Sequence, residues 1–303
     1  AEIEKAGLAV KSEQGSHYDR FRSRIVFPIS DASGRVVGFS GRIFGEDKGQ
    51  KTKDEGTGAK YINTPATPIY DKSRVLYGFD KAKEEIRKSN AVVLVEGQMD
   101  VVMSHQAGVK NAVAVSGTAL AAAQLQILKR LASAIVSSFD RDAAGEIATK
   151  RSLDLAASFE FERKVAVLPD GIKDPAEAVK KDPAIWEKAV REAKPLVQFF
   201  LETALARHDA KSAAGKKAIA REVLPEIKLL ASEVEKAHWL QELSREIGIA
   251  EDALWRELKK AKPGAGEATP SKQEVLAGPP PGRRMQLESL LLGTLIRYPE
   301  RGS

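Results

Sequence analysis

The chain has no cysteine in its 303 residues, which excludes disulfide staples, thiolate catalysis and cysteine-based zinc sites. Histidine is scarce as well: His17, His105, His208 and His238 show no close pairing such as H-E-x-x-H. A bound metal is therefore expected to be held by oxygen. No apolar run approaches the ~20 residues that span a bilayer. The N-terminal AEIEKAGLAV also lacks the basic-then-apolar layout of a secretory leader. The cytoplasm is the expected compartment, with no membrane partner. A phosphate-binding G-x-x-x-x-G-K-S/T loop is missing too.

What is present describes a folded protein. Hydrophobic residues make up 43% and charged residues 30% of the chain, a soluble globular composition. The length suits roughly two domains of ~150 residues each. The 48 basic and 42 acidic side chains leave a net charge of +6, so the placement of the basic residues matters more than their excess. They are dense in the first ninety residues, from YDRFRSR through SGRIFGEDKGQKTKDEGTGAKYINTP to YDKSR, with acidic residues interspersed as on a solvated mixed face.

Changes of texture along the chain predict an α/β protein in several parts. Residues 1–90 form a basic, mixed α/β part. There RIVFPI and VVGFSGRIF flank DASGR, a hairpin reading, and GEDKGQKTKDEGTGAK is polar and glycine-rich, as a mobile surface loop is. Residues 91–182 alternate apolar strands with helical segments. The strands read AVVLV, NAVAVS, SAIVSSF and RKVAVL, which predicts a mostly parallel sheet with flanking helices. From 183 to 260 the pattern is helical, and Trp239, Leu243 and Ile247 recur every four residues as on a core-facing stripe. Residues 261–284 read as a linker rich in Pro, Gly, Ala and Ser. Residues 285–303 read as one amphipathic helix opening a further domain, so the chain reads as a piece of a longer protein.

In an open α/β sheet, ligands bind where the strand C-termini gather. The first strand ends at Glu96, followed by Gly97, which suits a tight turn, with Asp100 four residues beyond Glu96. The third is followed by Asp140 and Asp142, and the fourth leads to Asp170, Asp174 and Glu177. A single Asp at such a place is an ordinary helix N-cap. That reading does poorly for the whole set, because two unit charges ~4 Å apart repel by about 4 kcal/mol at an effective dielectric of 20. Converging carboxylates call for a cation, and carboxylate-only ligation suits Mg²⁺ or Mn²⁺.

The Glu-Gly after one strand and the Asp-x-Asp after another resemble the Toprim signature of primases, topoisomerases, recombination proteins and some nucleases. Taken in order, YDRFRSRIVFPI, GFSGR, KYINTP, SRVLYG, VEGQMDVV and FDRDAAG are together similar to the catalytic core of bacterial DnaG-type primases. The likeness runs from about residue 15 to 180 and continues to about 260 by helical character alone. It implies an RNA polymerase core that joins ribonucleoside triphosphates on a single-stranded DNA template, using Mg²⁺ or Mn²⁺ and releasing pyrophosphate. Glu96, Asp140 and Asp142 would be its metal-binding carboxylates, with Asp100 in support.

The resemblance makes Asp174 a further metal-binding, catalytic carboxylate, since it matches the first carboxylate of the family's Asp-Pro-Asp, which here reads KDPAE. Ala176 stands in the place of the second carboxylate, with Glu177 and Asp170 as open substitutes, and Arg141 stands where a glycine is common. By the same resemblance Arg20, Arg22, Arg42, Lys60, Asn63, Lys72 and Arg74 match a basic ridge that holds template and triphosphates. The family also implies a replicative helicase as partner, through a C-terminal domain that would begin near Gln286. Its usual zinc-binding domain is not expected here, because cysteine is absent, so no zinc is expected; a monomer is. Two other readings stay open: a Toprim nuclease, against which the missing phosphate loop counts, and a non-catalytic Toprim DNA-binding module, against which the retained acidic set counts. A type I topoisomerase would need a strand-cleaving tyrosine, and none of the five tyrosines is identifiable as one.

Overall fold

The computed structural model describes residues 2–12, 15–44, 59–115, 120–138 and 152–261. Residues 1–266 form one compact unit and 267–303 a second, and all described residues belong to the first. Asp140, Asp142, most of the expected loop between 45 and 60, and the helix expected after 285 lie outside the described residues.

A short helix, α1 (Glu2–Lys5), precedes the hairpin of β1 (Ala9–Lys11) and β2 (His17–Asp19). A three-stranded antiparallel sheet follows, with β4 (Val36–Ile43) between β3 (Arg24–Ser30) and β5 (Tyr61–Asn63). DASGR makes the β3–β4 turn as its residues dictate. Asp31 Oδ1 accepts hydrogen bonds from the N–H groups of Ser33 and Arg35 at 2.8 and 3.1 Å. Gly34 takes φ 84°, a conformation that side chains disfavour.

The second part runs α2 (Phe79–Ser89), β6 (Ala91–Val95), α3 (Gln98–Gln106), β7 (Ala112–Ala114), α4 (Ala122–Lys129) and β8 (Ala134–Ser137). Residues 152–157 are helical, followed by β9 (Glu162–Val165), α5 (Pro175–Lys181), α6 (Pro183–Arg191) and β10 (Lys194–Pro195). The sheet order is β10-β9-β8-β6-β7. Every pairing is parallel except that of β10 at the edge.

The strands are apolar throughout because both faces are covered. Alternate residues enter two different cores. Val92, Leu94, Val113 and Ile135 pack with Phe79 and Ile86 of α2, and with Leu125 and Leu128 of α4. Val93, Val95, Ala112, Ala114 and Val136 pack with Val101 of α3 and Trp186 of α6. The Trp186 indole N–H donates to the buried Ser104 hydroxyl at 2.9 Å, so this large ring is held without an unsatisfied polar atom.

Four helices complete the unit: α7 (Leu196–Arg207), α8 (Ala213–Lys228), α9 (Glu233–Ile247) and α10 (Glu251–Lys260). They enclose a third core, in which Leu243 and Ile247 are buried and Trp239 packs at the margin, as their spacing predicts. Among the described residues no helix is long and apolar enough to cross a membrane.

Candidate active site

Strand order fixes where a crevice opens. From β6 the chain crosses through α3 to β7 on one side, whereas β9 lies on the far side of β8. The connections leaving β6 and β8 thus diverge, the arrangement that opens a ligand crevice beyond the strand C-termini. Leu94 is level with Ser137, and Glu96 leaves the sheet, exposed, at the mouth of that crevice. Asp140 and Asp142 follow the end of β8 in sequence, outside the described residues.

Asp100 stands in the first turn of α3, and its two oxygens face in two directions. Oδ2 accepts from Gly97 N–H at 3.0 Å, and Oδ1 accepts from Ala176 N–H at 3.2 Å. One carboxylate therefore ties the start of α3 to the start of α5. Gly97 and Glu96 make the short bend between β6 and α3. The Gly97 φ is −120°, open to any residue, and the constraint is closeness: a Cβ would stand 3.2 Å from Asp100 Oδ2.

Asp174 is the N-cap of α5, accepting from Glu177 N–H at 2.7 Å. Glu177 folds back to accept from Lys173 N–H at 2.9 Å. This reciprocal pair satisfies two donors at the helix start and engages Glu177 as a cap. Asp170 is exposed in the turn before the helix. Among the described residues no three acidic or histidine side chains gather as a metal site.

The basic sheet adjoins this acidic edge through Tyr61. Arg42 lies opposite Tyr61 in the β4–β5 register, its guanidinium 5.9 Å from the ring centre. Burial pushes the Tyr61 phenol pKa up; Arg42 opposes the rise, and the charges of Asp100 and Asp174 add to it. Tyr61 thus senses both the basic strand and the two carboxylates, and it keeps its proton at neutral pH. Tyr61 belongs to the KYINTP motif, and the signal for it in the sequence is a tyrosine between Lys60 and Asn63.

The other basic candidates are spread more widely. Arg22 is exposed, 4.5 Å over the Tyr18 ring, and Arg20 is half-buried beside it in the chain. Lys60 is exposed and Asn63 half-buried on β5 or next to it. Lys72 and Arg74 lie on the segment before α2, with Arg74 Nε 3.8 Å from Asp71. Fully buried Gln124 pins that segment: its Nε2 donates to the carbonyls of Lys72 and Val75 at 3.0 and 2.8 Å. Its Oε1 accepts from Ala121 N–H at 2.9 Å. Sequence reasoning missed Gln124, although a polar residue four positions before Leu128 falls on the apolar stripe of its helix.

Asp100→Ala is expected to cost about 1–3 kcal/mol, because two partly buried N–H groups lose their acceptor. Asp100→Asn should cost less, since one oxygen remains. Urea unfolding of the two variants measures the difference, and equal stability to the parent would remove Asp100 from this bracing role.

Family models match three successive segments of the chain. Residues 1–83 match the family model for the N-terminal domain of the DNA primase catalytic core, and residues 93–179 match a Toprim-like model. Residues 197–252 match the DnaB-helicase binding domain of primase. That third match falls on the helical bundle, upstream of residues 285–303, where the helicase-binding part was expected to begin.

The DNA primase of Halalkalibacterium halodurans is 37% identical over 256 residues, covering 84% of this chain and 41% of the relative. The chain thus spans less than half the length of that curated relative. A solved DNA primase domain from Pseudomonas aeruginosa superposes with TM-score 0.68 at 31% identity, covering 85% of this chain and 78% of the other. A DnaG primase catalytic domain bound to single-stranded DNA gives TM-score 0.67 at 32% identity, covering 83% and 77%. The ordered motifs, the Toprim sheet and these matches have one account: the chain belongs to the bacterial DnaG-type DNA primase family and carries its catalytic core.

Proposed function

We propose that the chain synthesises short RNA primers from ribonucleoside triphosphates on a single-stranded DNA template, in the cytoplasm at the replication fork. The observation that carries this is the divergence of the connections beyond the adjacent ends of β6 and β8, with exposed Glu96 following β6 and the basic β4–β5 face beside the acidic edge through Tyr61. A solved relative bound to single-stranded DNA supports the template assignment.

The donors at this edge are carboxylate oxygens, which fit a hard divalent ion. Glu96, Asp140 and Asp142 would hold Mg²⁺ or Mn²⁺, with Asp174 adding charge at the rim. Bound there, the ion would supply Lewis-acid polarisation of the attacking 3′-hydroxyl and charge neutralisation on the triphosphate. The chain's own residues do the positioning. Asp100 braces the starts of α3 and α5, and so fixes the direction in which Glu96 leaves β6. Arg42, Lys60, Lys72 and Arg74 offset phosphate charge, while Arg20, Arg22 and Asn63 hold the template. The protonated Tyr61 phenol serves as a hydrogen-bond donor between the two groups. The replicative helicase is the partner read for residues 197–252, from the family match there.

Incubation with single-stranded DNA, labelled ribonucleotides and Mg²⁺ or Mn²⁺ should yield short RNA, resolved by length. Template degradation without synthesis would favour a nuclease. DNA binding with neither product would favour a binding module. For the basic ridge, replacing Arg20, Arg22 or Lys60 by Ala should weaken single-stranded DNA binding for every sequence. Each should also flatten the log–log salt dependence by about 0.7 per lost phosphate contact. An unchanged slope in all three variants would remove them from the site.

A further inference from the structure

We propose that Phe44 is a base-stacking platform for the single-stranded template, at the outer end of the basic sheet. The inference rests on the primase reading and adds a contact that is not electrostatic. Phe44 follows β4 directly, and its ring is 69% exposed. Among the large apolar side chains exposed in the described residues, it is the one aromatic.

The backbone holds it in place. Phe44 N–H donates to the Ser23 carbonyl, and Ile43 N–H to the Lys60 carbonyl, each at 3.1 Å. The extended ladder therefore continues through Phe44, with the Arg22–Arg24 segment on one side and the lead into β5 on the other. Two residues apart on an extended chain, Phe44 and Arg42 share a face. Along that face Ser40 is buried, Arg42 is half-buried beside Tyr61, and Phe44 stands outermost. The same face thus runs from Tyr61, which senses the acidic edge, through Arg42 to an exposed ring, while Lys60, level with Ile43, turns to the other face of the sheet.

The sheet does not need this ring for its own packing. Phe27 is buried, and Phe21 and Phe39 meet edge to face at 6.2 Å. One exposed phenylalanine alone would mean nothing. Beside the Arg42 cation, on a face that leads through Tyr61 towards the carboxylates, it supplies what single-strand binding sites combine: charge for the backbone and a π-face for a base.

The test is binding of a labelled single-stranded oligonucleotide across a salt series, with 2-aminopurine substituted along the strand to report stacking. Phe44→Ala and Phe44→Leu should each weaken binding roughly 5- to 150-fold, the range of one base–aromatic stack. The salt slope should stay unchanged, because no phosphate contact is lost. Phe44→Trp should retain affinity, and 2-aminopurine quenching at one position should disappear in Phe44→Ala. Lys60→Ala is the contrast, flattening the slope. Parent-like binding by Phe44→Ala, or a slope that falls as in Lys60→Ala, overturns the stacking role. If the parent synthesises primers while Phe44→Ala binds normally, only this inference fails; if the parent binds no single-stranded DNA, the primase reading fails with it.

Discussion

Glu96→Gln should reduce primer synthesis by at least about 10²-fold, the scale of losing one well-placed electrostatic contact, while leaving the metal-free fold as stable as before. Glu96 is exposed just after β6, and at the start of α3 the Gly97 N–H is taken by Asp100. Gln keeps the shape and removes the charge. Saturating metal at about a hundred times Kd stabilises a protein by ~2.7 kcal/mol through mass action. The variant should lose most of that increment, since one anionic oxygen donor is gone. Asp140→Asn is expected to behave alike, whereas an Asp140 that merely caps a helix would tolerate Asn with metal binding intact. Thermal melts of parent and variants, with chelator and with Mn²⁺, separate the cases. A full metal-induced shift together with normal synthesis in Glu96→Gln would show that the site lies elsewhere.

Much of this region was legible because its physics is local. A strand buried on both faces must be apolar at every position, so AVVLV and SAIVSSF announce themselves as central strands of a parallel sheet. The DASGR turn is equally self-contained, with Asp31 and Gly34 supplying its bonds and its dihedral. Spatial order is not local, and the placement of β6 between β7 and β8, which opens the crevice, is not written in chain order. Short pairings escaped for a related reason. β5 has three residues and β10 two, too few for a periodic signal, and each exists because a longer neighbour offers it an edge.

The acidic residues show the same limit. An Asp before a helix reads identically whether it caps the helix or holds an ion. Only the placement of Asp100 Oδ1 against Ala176 N–H, 76 positions away, shows that it braces two helices. Tyr61 became visible through its opposite partner, Arg42, from which it stands apart in sequence.

Glu226→Ala should cost about 3–5 kcal/mol, because it takes the nearer carboxylate from a buried cation. Arg163 on β9 is 2% exposed and Glu226 on α8 fully buried, with Arg163 Nη1 3.2 Å from Glu226 Oε2. Arg163 Nη2 also donates to the Glu226 carbonyl at 3.3 Å. Asp154, in the helical stretch before β9, lies 3.8 Å from the same guanidinium and is 8% exposed. One arginine thus joins the parallel sheet to the bundle and to the helix leading into β9. The longer Asp154 contact is worth less, so Asp154→Asn should cost clearly less than Glu226→Ala.

The ordering tests the physics, because a buried pair is costly to break and cheap to replace as a whole. Arg163→Met combined with Glu226→Leu and Asp154→Asn removes all three charges. That combination should recover most of the lost stability, since no ion is left without a partner in the low-dielectric interior. Urea unfolding of the two single variants and the triple variant reads this directly. A loss below about 0.5 kcal/mol in Glu226→Ala, or a triple variant as unstable as Glu226→Ala, would mean that the bundle is held to the sheet by its apolar contacts alone, through Leu196 in the first core.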